Sequence, residues 1–392
     1  MQTILTVNGG SSSLKCALFQ RQAGELTLLF NFKLGNILAD ARFKVVDTAG
    51  ATLLETSLDY SAVAKEDRHQ ACLETIQQWL TEQLPENELC AIGHRVVHGG
   101  SSFSEPVLID DQIISQLEEF IPLAPLHQPY NIKLIQACRK IAPDLPQIAC
   151  FDTMFHAQQP KVEQNYALPR KLTEEGVHRY GFHGLSYEFI QRQLNTLDTT
   201  DSNTVICHLG AGASMCAVQE GKSIASSMGF TAVDGLPMGS RCGNIDPGVL
   251  LYLQRHYDMD ADQLEKLIYK ESGWLGVSGI SSDMLELHQS DKPEAEEAID
   301  MFCYRAALEI GRLSAALQGL EQLVFTGGVG ENDADVRSRI LQRCEWLGIN
   351  INHQANTEAS GVISTENSKV KVRVIPTNEE AMIATHVVEL TT

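Results

Sequence analysis

Two short apolar runs, each interrupted by a turn of glycines and hydroxyl residues and then resumed, lie about two hundred residues apart in this chain. Thr3 to Val7 leads into Asn8-Gly9-Gly10-Ser11-Ser12-Ser13, after which Leu14 to Phe19 resumes a strand pattern. The plan returns where Thr204 to Cys207 gives way to His208-Leu209-Gly210-Ala211-Gly212-Ala213-Ser214 and then to Met215 to Val218. A supersecondary unit repeated at this distance implies two related domains facing one cleft. The expected division is a first domain of residues 1–155 completed by residues 380–392, and a second of residues 156–379.

Short apolar runs alternate with helical stretches through most of the chain: Cys90 to Val97, Gln147 to Phe151, Val205 to Cys207, Leu323 to Thr326 and Val370 to Ile375. This predicts α/β architecture. Between them, Ser61 to Leu84 and Pro293 to Leu317 carry apolar residues at three- and four-residue spacing, such as Leu73, Ile76 and Leu80, or Phe302, Ala306 and Ile310. Stripes of this kind face a core in most globular proteins.

Charge narrows the partners. Asp plus Glu number 50 against 30 Lys plus Arg, a formal charge of -20, which disfavours nucleic acid and anionic membrane as partners. Any bound anion must be held by a few local cations and backbone amides. The opening residues lack a basic segment and a long apolar run, so neither a signal peptide nor a membrane span is expected, and the location is read as cytoplasmic. Ten cysteines without a C-x-x-C pair read as reduced, mostly buried thiols.

Glycine turns at strand ends suit phosphate, because donors must come close with no side chain in the way. Gly9-Gly10-Ser11-Ser12-Ser13 with Lys15 is one such turn, Gly210-Ala211-Gly212 a second, and Thr326-Gly327-Gly328-Val329-Gly330-Glu331-Asn332, leading into a helix at Asp333, a third. Standard dinucleotide and P-loop patterns fail: Cys216 stands where a P-loop ending in Lys222-Ser223 needs glycine. Arg95 and Arg241 lie beside glycines, where a guanidinium can grip carboxylate or phosphate, although either alone also suits a surface ion pair. Asp152 ends an apolar run, the place from which strands deliver side chains to a ligand or simply turn. His94 and His98 are four apart, but strand geometry separates their directions and argues against a metal pair.

Taken in order, Val7-Asn8-Gly9-Gly10-Ser11-Ser12-Ser13-Leu14-Lys15, Gly93-His94-Arg95-Val96-Val97-His98-Gly99-Gly100, Phe151-Asp152-Thr153, Arg179-Tyr180-Gly181-Phe182-His183-Gly184, Gly328-Val329-Gly330-Glu331-Asn332 and Pro376-Thr377-Asn378-Glu379-Glu380 resemble the acetate kinase (acetokinase) family over essentially the whole chain. The resemblance implies two duplicated actin-like (ribonuclease H-like) ATPase domains around a central cleft. It also implies a homodimer that moves a phosphoryl group reversibly between ATP and acetate, giving acetyl phosphate and ADP, with Mg²⁺ or Mn²⁺. Carried over by motif, Asp152, Arg95, His183 and Arg241 are the catalytic set, and Asn8 and Glu379 the metal positions. Val97, Leu126 and Phe182 join Arg95 around the acyl group. Lys15, His208, Leu209, Gly210, Ala211, Gly212, Asp283, Met284, Leu285, Gly328, Val329, Gly330, Glu331 and Asn332 line the nucleotide site.

Three positions depart from the family pattern: Ala211 replaces an asparagine, Ala232 a proline beside the acyl group, and Leu285 an arginine. Ala232 leaves propionate kinase as an alternative. Ala211 and Leu285 leave open a different phosphoryl donor. A non-catalytic nucleotide switch is a third reading, opposed by the retained Arg95, Asp152, His183, Arg241 and Glu379.

Overall fold

The computed structural model describes residues 2–10, 12–22, 25–86, 88–197, 202–359 and 361–391; Ser11 of the first glycine turn lies outside them. The chain forms two compact units, one running to Met154 and resuming at Asn378, the other spanning Phe155–Thr377. Glu379 therefore belongs to the first unit.

The first unit is built on an eight-stranded sheet. Its strands are β1 (Gln2–Gly9), β2 (Leu14–Gln22), β3 (Glu25–Gly35), β4 (Ala41–Asp47), β5 (Thr52–Leu58), β6 (Glu88–Val96), β7 (Val107–Leu108) and β8 (Gln147–Phe151), in the order β5-β4-β3-β2-β1-β6-β8-β7. β1, β6 and β8 run parallel, while β2 to β5 extend the sheet as antiparallel neighbours. The second unit carries β9 (Thr204–His208), β10 (Ser214–Gln219), β11 (Lys222–Ser226), β12 (Gln322–Thr326) and β13 (Lys371–Val374), ordered β11-β10-β9-β12-β13. Here β11, β10 and β9 are antiparallel, and β9, β12 and β13 parallel. The segment β3-β2-β1-β6-β8 has the same order and sense, so the duplication legible in the two hairpins extends to five strands of each sheet.

Side-chain alternation explains the layers. Leu5, Val7 and Ile92 meet Cys72, Leu73, Ile76 and Leu80 of the helix Arg68–Gln83 and Leu134 and Cys138 of the helix Gln128–Ile141. The intervening residues of β6 face the closing helix Glu379–Thr391. A β-carbon at Gly93 would lie 2.4 Å from Ile383 and 2.8 Å from Val387 of that helix. In the second unit, Tyr187, Ile190 and Leu194 of the helix Gly184–Asn195 pack on Ile206, Cys216 and Val324. The helix Pro293–Ala316 buries Ile299, Phe302, Ala306, Ile310 and Leu313, as its spacing required.

One predicted helix begins late. The stretch from Ser61 first makes a turn, held where the Asp59 carboxylate accepts from the Ser61 amide at 2.9 Å, and the α-helix starts only at Arg68. All ten cysteines are free thiols, most of them buried.

Gly93→Ala forces a methyl group into the closing helix. It should lower stability of the first unit by about 1–3 kcal/mol, read as a reduced urea midpoint, whereas Gly35→Ala, which meets open space, should cost far less.

Candidate active site

In the first unit the parallel strands deliver polar side chains at their carboxyl ends. Arg95 is the penultimate residue of β6 and pairs in register with Cys150 of β8, so Asp152 emerges beside it just past β8. The Asp152 amide donates to the Val96 carbonyl at 3.0 Å, which sets the turn. The guanidinium grips the carboxylate with two parallel bonds, Nε to Oδ1 at 3.0 Å and Nη2 to Oδ2 at 2.5 Å. Such a fork fixes orientation as well as charge.

The grip extends further. Arg95 Nη1 donates to Asn8 Oδ1 at 3.2 Å, near the end of β1, and Nε lies 3.8 Å from Glu379 Oε2. Asn8 Nδ2 in turn donates to Glu380 Oε1 at 3.4 Å. Both glutamates sit in the first turn of the closing helix, where the helix dipole favours negative charge, and the Asn378 side chain accepts from the Ala381 amide at 2.9 Å. Burial pulls the Arg95 pKa down, but Asp152 and Glu379 outweigh it and hold the guanidinium above its ordinary value. Burial pushes the Glu379 carboxyl up, and Glu380 adds to this against the pull of Arg95 and Lys15. Lys15 reaches this group because it pairs with Asn8 across the β1–β2 hairpin.

Val97 follows β6 and is buried, its amide donating to Asn131 Oδ1 at 3.0 Å; Leu126 is half-buried in the loop before the helix Gln128–Ile141. His94 points away from this cluster. Its Nε2 meets Gln147 Oε1 at 2.7 Å, and burial depresses its pKa to about 4. Among the described residues no group of three or more His, Cys, Asp or Glu is arranged as a metal cage. Asn8 and Glu379 supply only oxygens, the donors that suit a hard cation such as Mg²⁺, which uses one or two carboxylates and completes its shell with phosphate and water.

In the second unit the two glycine turns are joined through the main chain. Leu209 follows β9 and its amide donates to Thr326 at 2.8 Å; its carbonyl accepts from Val329 at 2.8 Å and Gly330 at 3.0 Å. Gly327 has φ +78°, and a β-carbon there would lie 2.8 Å from the Leu209 oxygen, so only glycine fits. The stretch from Gly327 to Asn332, expected as a turn, is a short helix. Glu331 is turned inward: its Oε1 accepts from the Gly327 amide at 2.8 Å and the Thr377 amide at 3.0 Å.

Beside these turns lies a hollow of about 720 Å³. Gly210, Ala211, Asp283, Met284, Leu285, Gly328, Val329 and Asn332 all line it, as do residues that sequence reasoning missed: Trp274 and the His288–Asp333 pair, 2.8 Å apart. Leu285 is 65% exposed, so the hollow has an apolar side chain where a guanidinium was expected. His208, Leu209, Gly212, Gly330 and Glu331 do not line it; Leu209 and Gly330 are buried and, with Glu331, form the scaffold behind it.

His183 and Arg241 converge on Gly212. A β-carbon built there would meet His183 Nε2 at 3.7 Å and Arg241 Nη1 at 3.9 Å. Arg241 is anchored by Nη1 donating to the Ala232 carbonyl at 2.9 Å. His183, with φ +58°, precedes the helix Gly184–Asn195 and stacks on His208 with ring centroids 4.3 Å apart. Phe182 is buried, and its carbonyl meets Nε2 of the buried His156 at 2.9 Å; burial lowers the His156 pKa to about 4. Arg179, in the same motif, is structural: it pairs with Asp234 at 2.9 Å and donates to the carbonyls of Ser226, Ser227 and Met228.

His94 and His156 have folded pKa values near 4 against about 6.5 unfolded. Between those limits the unfolded chain binds protons that the folded one refuses, so stability falls as pH drops from about 6.5 to 4. The slope is about 1.4 kcal/mol per pH unit for each ring at most. Urea midpoints measured across this window should show the fall, and His94→Gln should flatten it in the first unit.

Residues 3–385 match the acetokinase family. A Rhodopseudomonas palustris acetate kinase is 49% identical over 391 residues, covering 98% of this chain and 97% of its own. Among solved structures, a Francisella tularensis propionate kinase superposes with a TM-score of 0.91 at 36% identity, covering 98% of this chain and 99% of that one. A Porphyromonas gingivalis acetate kinase superposes with a TM-score of 0.89 at 36% identity over the full length of both. A family match across the whole chain, close relatives at full length and two duplicated α/β sheets agree: the chain belongs to the acetokinase family and has its actin-like fold.

Proposed function

We propose that this chain is an acetate kinase, a phosphotransferase with a carboxylate acceptor that moves a phosphoryl group between ATP and acetate by direct in-line transfer. The observation that carries the reading is the approach of Arg241 and His183 to Gly212, a cation and an imidazole beside a backbone with no side chain in the way. Charge spreads over the phosphoryl oxygens in the transition state, and donors of this kind stabilise it there. The acceptor is already ionised at neutral pH, so no general base is needed. Asp152, engaged by both arms of the Arg95 fork, orients that guanidinium rather than removing a proton. In the first unit Arg95, Val97 and Leu126 hold the acyl group; Phe182, in the second unit, is assigned to it by its motif alone.

ATP or ADP occupies the hollow lined by Ala211, Met284, Leu285 and Val329. His208, Gly212, Gly330, Glu331 and Leu209 of the second unit belong to the same nucleotide site, in part through their backbones, and Lys15 of the first unit is assigned a nucleotide role by its motif. Asn8 and Glu379 would hold Mg²⁺, which would neutralise phosphate charge. The two compact units act as the family's two domains, and the enzyme works as a cytoplasmic homodimer. Val249, Leu251 and Tyr252, exposed on the helix Pro247–His256, which buries none of its residues, support a dimer.

Propionate is the second acceptor to weigh, because Ala232 stands where the family carries proline. One methylene changes discrimination by only about 1–3 kcal/mol.

A hydroxamate assay with Mg²⁺-ATP tests the reading. The wild type should form acyl phosphate from acetate faster than from propionate, and Arg241→Ala should lose about 10²–10³-fold in kcat, the scale of one transition-state donor. A large preference for propionate would reassign the acceptor, and no product from either acid would refute acyl kinase activity with ATP. Leu285→Arg restores a cation beside the hollow and should lower the KM for ATP severalfold at unchanged kcat; an unchanged KM would show that position 285 does not meet the nucleotide.

A further inference from the structure

Ser214 opens β10 and is fully buried, and among the described residues its hydroxyl meets two polar side chains. One is His183, whose Nδ1 lies 2.8 Å from Ser214 Oγ. The other is Tyr187, whose phenol oxygen is in close hydrogen-bond contact with the same Oγ. His183 and Tyr187 are one helical turn apart, joined by the Tyr187 amide donating to the His183 carbonyl at 3.1 Å, so both reach the start of the same strand.

We infer that Tyr187 and Ser214 are positioning residues that set the tautomer of His183, keeping Nδ1 an acceptor so that Nε2–H is the donor offered to the phosphoryl group. The inference rests on the acyl kinase reading above. It follows from counting protons. Tyr187 is completely buried, and Ser214 Oγ is the one hydrogen-bond partner its phenol finds among the described residues. A buried hydroxyl whose proton finds no acceptor pays the full desolvation cost, so the phenol donates. Ser214 Oγ then accepts from Tyr187, and its own proton points to its other partner, Nδ1. With Nδ1–H donating to Ser214 instead, either the serine proton turns to the phenol and strands the tyrosine proton, or Ser214 accepts from both neighbours and its own proton is stranded; each leaves a hydroxyl proton unpaired in the core.

Three further observations agree. Burial raises the Tyr187 pKa well above its ordinary value, so the phenol keeps the proton that the chain of donors needs. Nε2 is the ring atom turned towards Gly212, and Arg241 Nη1 comes to the same place. Groups facing His183 include Ser214, Arg241 and the stacked His208, whose own Nδ1 meets Ser186 Oγ at 2.8 Å. His183 therefore serves as a directed Nε2–H donor beside the arginine.

The test is nitrogen-15 NMR of histidine-labelled full-length protein, with His183→Gln to assign the signals. The expected spectrum has a protonated Nε2 and an unprotonated Nδ1; a protonated Nδ1 in the wild type overturns the inference. Ser214→Ala removes the hydroxyl that donates to Nδ1, so the Nδ1 signal should move towards the protonated position. Its kcat should fall about tenfold, the scale of one lost hydrogen bond, at unchanged KM for both substrates. His183 signals and kcat both unchanged in Ser214→Ala would also overturn it. A wild type that makes no acyl phosphate would defeat the functional reading instead, and the His183 signals would still decide the tautomer.

Discussion

The parallel pairing of β6 with β8 sets Arg95 beside Asp152, and the polar edge of the first unit is organised around that contact. A one-residue slip would turn Arg95 to the opposite face of the sheet, because side chains alternate along a strand. In register, Asp152 fixes the guanidinium by two bonds, and the guanidinium in turn reaches Asn8 and Glu379. The carboxylate on the helix N-terminus and the asparagine at the end of β1 thus meet one cation. That arrangement is costly to bury and is balanced by its own partners, which is why burial and charge pull the Arg95 and Glu379 pKa values in opposing directions.

The second unit solves a different problem with the same sheet order. Here the polar groups surround main chain instead of a guanidinium fork. The Leu209 carbonyl and the inward Glu331 carboxylate tie the turns after β9 and β12 together, leaving Gly210 and Gly212 as approachable backbone. Side chains then come in from outside: His183 from the start of a helix, Arg241 from a loop held by the Ala232 carbonyl. Rigidity comes from backbone hydrogen bonds, and charge from long side chains aimed at the rigid part. A donor array of this kind needs little reorganisation as negative charge develops.

Much of this was legible beforehand because it is local. Glycine turns, strand alternation and helix spacing are properties of neighbouring residues, so β1–β2, β9–β10 and the helix Pro293–Ala316 could be read directly. The antiparallel extension β3 to β5 was not read, since it depends on partners across the sheet. Glu331 illustrates the same limit within a motif. Its position beside the glycines suggests a ligand contact, yet its carboxylate is spent on amides of its own turn and of Thr377, forty-six residues away.

By itself the sequence determined the α/β class, the duplicated hairpins, the family resemblance and the residue types available for phosphoryl chemistry, because each is carried by spacing or by residue identity. Only the tertiary structure decided which of those residues act as partners. Asp152 belongs to Arg95, His94 to Gln147, and Ser214 to both His183 and Tyr187. The reason is physical: a buried polar group must find its partner in three dimensions, and strand register and helix packing bring together residues that the chain keeps far apart.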